Sequence, residues 1–380
     1  MKNIIFKIKI IFSTSLLILT IFTGCIEIDD YNERNDIIKS KFKPNNPLIL
    51  PNWSDGDYHD YYGSFNKLNE LNEKYENLTY LFSIGKSVLG KDIWCIRLTD
   101  EGNKNIKSSC LIDGCIHGNE WESGEACLYL AEFLLLNYGK NASVDDILEN
   151  SDIYIVPLLN PDGRQSSKRW NDNGVDLNRN FDIFFGKIRG GCFRLGKLMG
   201  IIKIPYVMFP RLGLWFSNCG KRAFSEPEAQ SIRDLTERIS YKDFSFYVNC
   251  HTAVHTVSSV WITHKPPFQI SQQEQIVIDF VFDWVEKNTE YETQNEPLKV
   301  GGTITDWCFK QYHIPSFCFE ILSKDYEPFM GQGKHDNLVH WMKTTIPFFM
   351  FLLVNIDHLR RWEIPINQPF LPEGVPPNQI

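Results

Sequence analysis

The sequence has no excess of positive charge. Its 380 residues include 39 lysines and arginines against 47 aspartates and glutamates, a net charge of −8. Domains that bind nucleic acid are usually basic, so this balance argues against a nucleic-acid partner. The chain also shows no internal repeat. We expect the protein to be a monomer. The hydrophobic fraction of 43% is ordinary for a globular protein, and the length allows one large α/β domain.

A membrane-spanning run is missing near the N-terminus. The uncharged stretch from Ile10 to Phe22 is short for a transmembrane helix; it follows three lysines and precedes Thr23-Gly24-Cys25. This order is typical of a secretory signal, so we predict a signal peptide over residues 1–24 and an exported protein. Cys25 after Thr-Gly resembles a lipobox, which would make the protein a membrane-anchored lipoprotein. Plain cleavage near Gly24 and an uncleaved anchor are the alternatives.

The ten cysteines do not form an obvious disulfide framework, although exported proteins often carry disulfides. Seven lie in or beside apolar segments, where a thiol acts as a small buried hydrophobe. These seven are Cys95, Cys110, Cys115, Cys127, Cys250, Cys308 and Cys318. Cys192 and Cys219 flank an insertion and are the best candidates for a bridge.

Helical and strand-like patterns alternate along most of the chain. Residues 25–55 are polar with little periodicity and are predicted to form a tether. The alternation that follows predicts an α/β catalytic domain over residues 56–358, with an insertion at about 183–222 and a C-terminal tail over 359–380. Polar residues of chemical interest come directly after strands, at the edge of the sheet where α/β proteins bind ligands.

His117 and Glu120 form a His-x-x-Glu pattern where a short apolar strand leads into a helix. Three residues apart in a first helical turn, both side chains can point toward one position. With a distant histidine they would make the His₂Glu set of catalytic zinc hydrolases, which leaves a coordination position for water. His251, at the end of a second strand, is the candidate, and His255 is the alternative. Alone, the pattern also fits a helix N-terminus with an incidental histidine.

Glu320 ends an apolar strand that begins at Phe317. A carboxylate in that position is either part of a salt bridge or a working group. A zinc-bound water needs a base to take its proton, and a partly buried glutamate suits that task. Glu320 is therefore a candidate general base.

Two arginines suggest an enzyme that acts at a chain terminus. The planar guanidinium of Arg179 can donate two parallel hydrogen bonds to a carboxylate, and Asn178 adds a donor beside it. An enzyme that cuts only at a C-terminus needs such a pair. Arg169 lies upstream and would stabilise the oxyanion of a tetrahedral intermediate. Each arginine could instead be an ordinary surface charge.

Six ordered segments resemble the M14 family of zinc carboxypeptidases. They are Ile116–Trp121, Asn160–Gly163, Gly174–Phe181, Ser225–Glu228, Asn249–Thr252, and Thr305–Trp307 with Phe319-Glu320. The resemblance covers roughly residues 58–356. It implies a mixed eight-stranded sheet sandwiched between helices, in a single catalytic domain with one bound Zn²⁺. It also implies hydrolysis of the C-terminal peptide bond of peptides or proteins.

The resemblance assigns the metal and the chemistry to five residues. His117, Glu120 and His251 match the zinc ligands. Glu320 matches the general base, which acts on the metal-bound water. Arg169 matches the arginine that stabilises the oxyanion.

On the substrate side the resemblance is less complete. Asn178 and Arg179 match the pair that holds the terminal carboxylate, and Thr305 matches the floor of the specificity pocket. Thr305 is neither acidic nor aliphatic, so it predicts no strong charge preference. The stretch from Pro297 to Gly302 lacks the mobile tyrosine that the family often has there, and Tyr291 lies further upstream.

Acidic residues are absent between Ile183 and Ser225. The same stretch contains eight cations: Lys187, Arg189, Arg194, Lys197, Lys203, Arg211, Lys221 and Arg222. In an acidic protein this local excess suggests contact with an anionic membrane surface beside the active site. The alternative is a loop that folds onto the domain with its charges in water.

Two other functions use the same residues. A zinc amidase or deacylase acting on cell-wall peptides or acylated amino acids would need the same ligands, so only substrates separate it from a carboxypeptidase. A non-catalytic zinc- or peptide-binding module would be expected to have lost Glu320 or a ligand, and all are present.

Overall fold

The computed structural model describes residues 47–186, 192–193, 206–209, 214–252, 254–259, 270–294, 300–322 and 337–367. For residues 192–193, 206–209 and 214–216 only the backbone is described. The predicted signal peptide, Cys25 and most of the predicted tether lie outside these ranges. Among the helices of the described ranges, none has the length and apolar character needed to cross a membrane.

The main sheet consists of eight strands. They are β1 (Thr79–Lys86), β2 (Asp92–Leu98), β3 (Ser108–Asp113), β4 (Ser151–Val156), β8 (Phe244–Thr252), β9 (Thr256–Ser258), β10 (Glu292–Gln294) and β11 (Ser316–Ile321). Their order is β1-β2-β4-β3-β8-β11-β9-β10. The central strands β4, β3, β8 and β11 run parallel, whereas β1 and β2 pair antiparallel at one side and β9 pairs antiparallel with β11 at the other. The mixed eight-stranded sheet predicted from the resemblance is confirmed.

Nine α-helices are found in the described residues. They are α1 (Tyr61–Lys74), α2 (Trp121–Asn137), α3 (Ala142–Asn150), α4 (Pro161–Ser166), α5 (Pro227–Ser240), α6 (Gln272–Asn288), α7 (Ile304–Tyr312), α8 (Leu338–Val354) and α9 (Ile356–Arg360). Several begin at side-chain caps: Asp60 accepts from the Gly63 N–H, and Ser271 and Glu274 form a capping box. The sequence patterns indicated α1, α2, α5, α6 and α8, but not α3, α4, α7 or α9.

The core forms two apolar clusters, which take alternate residues of the buried strand β8. Phe246, Val248 and Cys250 belong to one cluster, and Tyr247 belongs to the other. Successive side chains of a strand point to opposite faces, so the clusters cover the two faces of the sheet. The seven cysteines predicted to act as buried hydrophobes are all buried.

The described end of the predicted tether packs onto the domain. Asn137 of α2 accepts from the Ile49 N–H at 2.6 Å and donates to the Ile49 carbonyl at 2.8 Å. Trp53 Nε1 donates to Glu132 at 2.6 Å, and the side chain of Leu48 is buried. Ile49 and Trp53, at the end of the predicted tether, thus contact α2.

The insertion contains a small separate sheet of three strands: β5 (Cys192–Phe193), β6 (Tyr206–Phe209) and β7 (Leu214–Asn218), in the order β5-β7-β6. Six of its eight cations lie outside the described residues, as does the side chain of Cys192. The Cys192–Cys219 bridge thus stays a prediction, with Cys219 buried.

Candidate active site

Three neighbouring strands bring the candidate residues to one edge of the sheet. β3 and β8 are in register at Asp113 and Asn249, and β8 and β11 are in register at His251 and Glu320. The loop after β3 carries His117 toward the same place. In that loop a Cβ on Gly118 would lie 2.0 Å from the backbone of Gly163, so only glycine allows the loop to pack this closely against α4.

His117, Glu120 and His251 converge on one buried point. The two carboxylate oxygens of Glu120 lie 2.8 Å from His117 Nδ1 and 2.8 Å from His251 Nδ1. One ligand atom from each residue falls within 4.8 Å of the others, and each side chain is no more than 4% exposed. Burial alone would raise the pKa of Glu120, but the two histidines lower it, so the carboxylate is ionised.

His117 is oriented by a carboxylate on its far side. Its Nε2 lies 3.1 Å from Asp176 Oδ1, and Asp176 also accepts from Arg169 Nε at 3.0 Å. Ser217, from the last strand of the insertion, donates to Asp176 at 2.8 Å. The Arg169 and His117 charges, against the effect of burial, hold the pKa of Asp176 well below its usual range. Asp176 therefore accepts from Nε2, so Nδ1 of His117, on the Glu120 side of the ring, is the nitrogen available to a metal.

These donors fit zinc. Two imidazole nitrogens and one carboxylate form the three-protein-ligand set of catalytic zinc sites, in which a fourth position stays open for water. Each histidine has a hydrogen-bond acceptor at Nε2, Asp176 for His117 and Asn249 for His251, so both rings present Nδ1 to the same point. Of the predicted candidates, His255 lies outside this group.

Glu320 is half-buried beside the metal-binding residues. Burial raises its pKa to about 7, and the negative charge of Glu120 acts in the same direction, whereas His251 and Arg169 oppose the shift. A carboxylate whose pKa lies near neutrality is suited to take and return a proton at physiological pH.

Arg169 also reaches the metal-binding residues. Its Nη1 lies 3.3 Å from Glu120 Oε1, while its Nε is held by Asp176. A cation fixed in this way stabilises negative charge that develops next to the metal-binding residues.

Asn178 and Arg179 lie between the metal-binding residues and the predicted pocket. Asn178 Oδ1 accepts from the backbone N–H of Ile304 at 3.0 Å, and its Nδ2 lies 3.3 Å from His251 Nε2. Arg179 is 7% exposed, and its Nη1 donates to the Asn178 carbonyl at 2.6 Å. Thr305, in the first turn of α7, follows Ile304 directly, so the same contact positions the predicted pocket floor.

Gly302 sets the distance between these two segments. Its φ is +76°, and a Cβ there would lie 2.3 Å from the Arg179 carbonyl oxygen. Its N–H donates to the Ile183 carbonyl at 2.6 Å, and Phe181 donates back to Gly302 at 3.2 Å. The start of α7 is thereby fixed against the segment that carries Arg179.

Two other aromatic residues considered from the sequence have structural places. His255 stacks on Tyr291 with ring centroids 4.5 Å apart, and its Nε2 lies 3.0 Å from the Glu290 carbonyl. Tyr291 is 2% exposed and its hydroxyl contacts Thr344 at 2.7 Å. Tyr291 is thus a core residue and does not replace the mobile tyrosine of the family.

Four residues near the site have no predicted role from the sequence: Asp113, Asp176, Ser217 and Asn249. A signal existed for two of them. Asp113 is a carboxylate at the end of an otherwise apolar strand, and Asn249 precedes His251 by two residues in a strand, which places both side chains on one face. Ser217 comes from a distant insertion, and no local pattern indicates it.

Comparison with known proteins agrees with this geometry. Residues 65–194 match the family model of the M14 peptidases, described as zinc carboxypeptidases. Carboxypeptidase SOL1 of Arabidopsis thaliana is 42% identical over 110 residues, which are 28% of this chain and 22% of that protein. Metallocarboxypeptidase A of Trichophyton tonsurans is 37% identical over 111 residues, 26% of each chain. The matched segments thus span about a quarter of these relatives' length.

Solved structures share the fold over a longer stretch. Carboxypeptidase A from Helicoverpa armigera superposes with a TM-score of 0.62 at 17% identity, covering 88% of this chain and 80% of that one. Thrombin-activatable fibrinolysis inhibitor gives a TM-score of 0.62 at 20% identity, covering 86% and 80%. The family model thus matches residues 65–194, and the solved structures share the fold over most of the chain.

Proposed function

We propose that the protein is a zinc-dependent metallocarboxypeptidase that hydrolyses the C-terminal peptide bond of peptides or proteins. The observation that carries the proposal is the convergence of His117, Glu120 and His251 on one buried point, with Glu320 and Arg169 beside it. A non-catalytic binding module would not require a general base and an oxyanion-stabilising cation at the same point.

The residues divide the reaction between them. One Zn²⁺ per chain, held by His117, Glu120 and His251, would polarise the scissile carbonyl and lower the pKa of water. Glu320 takes the proton of the attacking water and delivers it to the leaving amine. Arg169 stabilises the negative charge that develops on the carbonyl oxygen.

Asn178 and Arg179 would recognise the C-terminus of the substrate. A terminal carboxylate placed against them would receive hydrogen bonds from the guanidinium and from the Asn178 amide, whose oxygen already accepts from Ile304. Thr305, at the start of α7, would face the side chain of the terminal residue. Its hydroxyl carries no charge, so we expect broad acceptance of uncharged terminal residues.

A library of peptides that differ in the C-terminal residue tests the proposal, with each peptide also offered as its C-terminal amide. We expect release of single C-terminal residues from the free acids, little cleavage of the amides, and loss of activity with a chelator that zinc restores. Chelator-insensitive cleavage would contradict the mechanism. Cleavage of acylated amino acids or cell-wall peptides in preference to ordinary peptides would favour the zinc amidase or deacylase.

We also propose that the protein is exported and anchored through a lipid on Cys25. The basic N-terminus, the short apolar run and Thr23-Gly24-Cys25 support the proposal. Mass spectrometry of the mature N-terminal peptide tests it: a lipid-modified Cys25 is expected, and Cys25→Ala should move the protein from the membrane fraction to the soluble fraction. An unmodified mature N-terminus would contradict it.

The basic insertion supports a second contact with the membrane. Between Ile183 and Ser225 it has eight cations and no acid. A protein lacking residues 1–25 should bind vesicles that contain anionic lipid and should release them at high salt. Equal binding to neutral vesicles, or none to either, would contradict this contact.

A further inference from the structure

A buried hydrogen-bonded chain extends from β3 to the metal-binding residue His251. Asp113 Oδ2 accepts from the Tyr247 hydroxyl at 2.6 Å, and Asp113 Oδ1 accepts from Asn249 Nδ2. Asn249 Oδ1 lies 2.5 Å from His251 Nε2. Asp113, Asn249 and Tyr247 are each fully buried, so water does not compete for these contacts.

The register of the sheet produces this chain. Tyr247, Asn249 and His251 alternate along β8, so their side chains lie on one face. Asp113 ends β3 directly opposite Asn249, which brings its carboxylate within reach of both Asn249 and Tyr247.

The Asp113 carboxylate determines which way the Asn249 amide points. A carboxylate with two donors at its two oxygens is an acceptor, so Asn249 must turn Nδ2 toward Asp113. Its oxygen then faces His251 Nε2, which must carry a hydrogen to donate to it. With Nε2 donating to Asn249, Nδ1 of His251 is the nitrogen available to a metal, and Nδ1 is the atom that lies 2.8 Å from Glu120.

We propose that Asp113 is a positioning residue that acts through Asn249 to hold His251 in the tautomer that presents Nδ1 to the metal. The inference rests on the proposed zinc site. In this arrangement a carboxylate orients each of the two histidines. Asp176 accepts from His117 directly, whereas Asp113 acts on His251 through the Asn249 amide.

The neighbouring amide of Asn178 is consistent with this tautomer. Asn178 Nδ2 lies 3.3 Å from His251 Nε2, but the hydrogen on Nε2 points to the closer Asn249 oxygen. Two donors do not bond to each other, so the Asn178 amino group keeps its hydrogens for the substrate carboxylate. A reversed Asn249 amide would instead donate to Nε2, which would then carry no hydrogen.

Replacing Asp113 by asparagine is expected to weaken zinc binding by changing the tautomer of His251. Without metal, the side-chain amide that Asp113→Asn introduces can donate to Asn249 Oδ1, so Asn249 reverses, donates to Nε2 of His251 and leaves the proton on Nδ1. All hydrogen bonds are then made, in the tautomer that opposes metal binding. Zinc must reverse the chain, so its affinity should fall by about 10- to 100-fold, the range found for lost supporting contacts of metal ligands.

The exchanged pair Asp113→Asn/Asn249→Asp should restore the affinity. In this pair the introduced amide accepts from Tyr247 and donates to the introduced carboxylate, which in turn accepts from His251 Nε2. The direction of every hydrogen bond next to His251 is then that of the wild-type protein. A role confined to core stability would not predict this recovery.

Zinc affinity is measured by competition with a chromogenic chelator, and the absorption bands of the Co²⁺-loaded protein report the ligand geometry. The control is Glu228→Gln, because Glu228 is buried and accepts from the Asn171 amide at 3.0 Å without contact to a histidine. Expected results are weaker binding and altered Co²⁺ bands for Asp113→Asn, recovery in the exchanged pair, and no change for Glu228→Gln. Melting temperatures of the metal-free proteins report folding.

Unchanged zinc affinity in Asp113→Asn, or an exchanged pair no better than the single variant, would overturn the inference. If the single variant does not fold, the zinc-loaded wild-type protein still tests the inference. The Nε2–H proton of His251 should then exchange slowly with water in ¹⁵N-edited NMR spectra. Fast exchange of this proton would overturn the inference. A wild-type protein that binds no zinc would instead refute the proposed function.

Discussion

The metal-binding side of the site and its substrate-binding side differ in how firmly the fold holds them. On the metal-binding side, Glu120 contacts both histidines, and each histidine has a second acceptor behind it. On the substrate-binding side, Thr305 depends on the start of α7, which Asn178 and Gly302 fix against the Arg179 segment. The first side is built from central parallel strands, and the second from a helix that follows a Gly-Gly turn.

This difference indicates where variation in function is tolerated. A buried set of charged groups fails when one partner is removed, because the remaining charges lose their compensation. A pocket floor at a helix start can change its side chain while the backbone contacts to Asn178 and Gly302 persist. Changes on the metal-binding side should therefore abolish activity, and changes on the substrate-binding side should redirect it.

The largest effect is expected for Glu320→Gln. The variant keeps its shape but cannot take a proton, so kcat should fall by about 10²- to 10⁴-fold with zinc affinity retained. Steady-state kinetics and zinc titration measure the two quantities. Glu290→Gln is the control, because Glu290 is also partly buried and has a raised pKa but lies beside His340, away from the metal-binding residues. A Glu320→Gln protein with full activity would refute the base assignment.

The next effect is expected for Arg179→Ala. In the proposed function Arg179 is a buried cation that pairs with the terminal carboxylate, so its loss should lower kcat/KM by about 30- to 1,000-fold, or roughly 2–4 kcal/mol. The comparison with Arg179→Lys separates charge from the planar guanidinium fork, and the lysine variant should recover only part of the loss. If Arg179→Ala lowered kcat/KM equally for peptide amides and for free acids, Arg179 would not recognise the terminal carboxylate.

Outside the two sides of the site, the stability of the fold depends on pH through Glu228. Burial raises the pKa of Glu228 to about 7, above its ordinary value of 4.5. The folded protein therefore binds this proton more tightly than the unfolded chain. The resulting stability is complete below the unfolded pKa and is lost as pH rises through about 7, by at most roughly 3 kcal/mol.

Urea unfolding of the metal-free protein at about pH 5 and about pH 8 measures this contribution. The free energy of unfolding should fall less between the two values in Glu228→Gln than in the wild-type protein. Equal slopes would mean that Glu228 titrates normally. Glu228 accepts from the Asn171 amide, and Asn171 Oδ1 accepts from the Val175 N–H, so the measurement reports the stability of this buried turn.

The sequence predicts the metal-binding side because its signals are local. His117 and Glu120 are three residues apart, and His251 and Glu320 each end an apolar strand, so strand and helix periodicity locate them. The resemblance to a known family then predicts the eight-stranded sheet that brings them together.

The supporting residues depend on pairing between distant strands. Asp113 and Asn249 meet only because β3 and β8 adopt one particular register, and Ser217 reaches Asp176 from the insertion. Single-sequence patterns contain the periodicity of each strand but not the register between strands. The helix α7 was missed for a related reason: its start is set by Gly302 and Asn178, which act through the fold.

The smallest effect is expected for Thr305→Asp, and it tests the substrate-binding side most directly. Thr305 is 5% exposed in the first turn of α7, where an acidic residue is compatible with the helix N-terminus. The aspartate should raise the preference for C-terminal lysine and arginine by roughly tenfold, or about 1.4 kcal/mol, relative to uncharged residues. Kinetics on a C-terminal residue library measure the ratio.

Thr305→Val is the matched control, because it removes the hydroxyl without adding charge and should leave the ratio for basic residues unchanged. Both variants should bind zinc as the wild-type protein does, because no hydrogen bond within the described part of the chain joins Thr305 to a metal-binding residue. A Thr305→Asp variant that lost zinc would show that the two sides of the site are not separable. An unchanged residue preference would mean that the side chain of the terminal residue is read elsewhere.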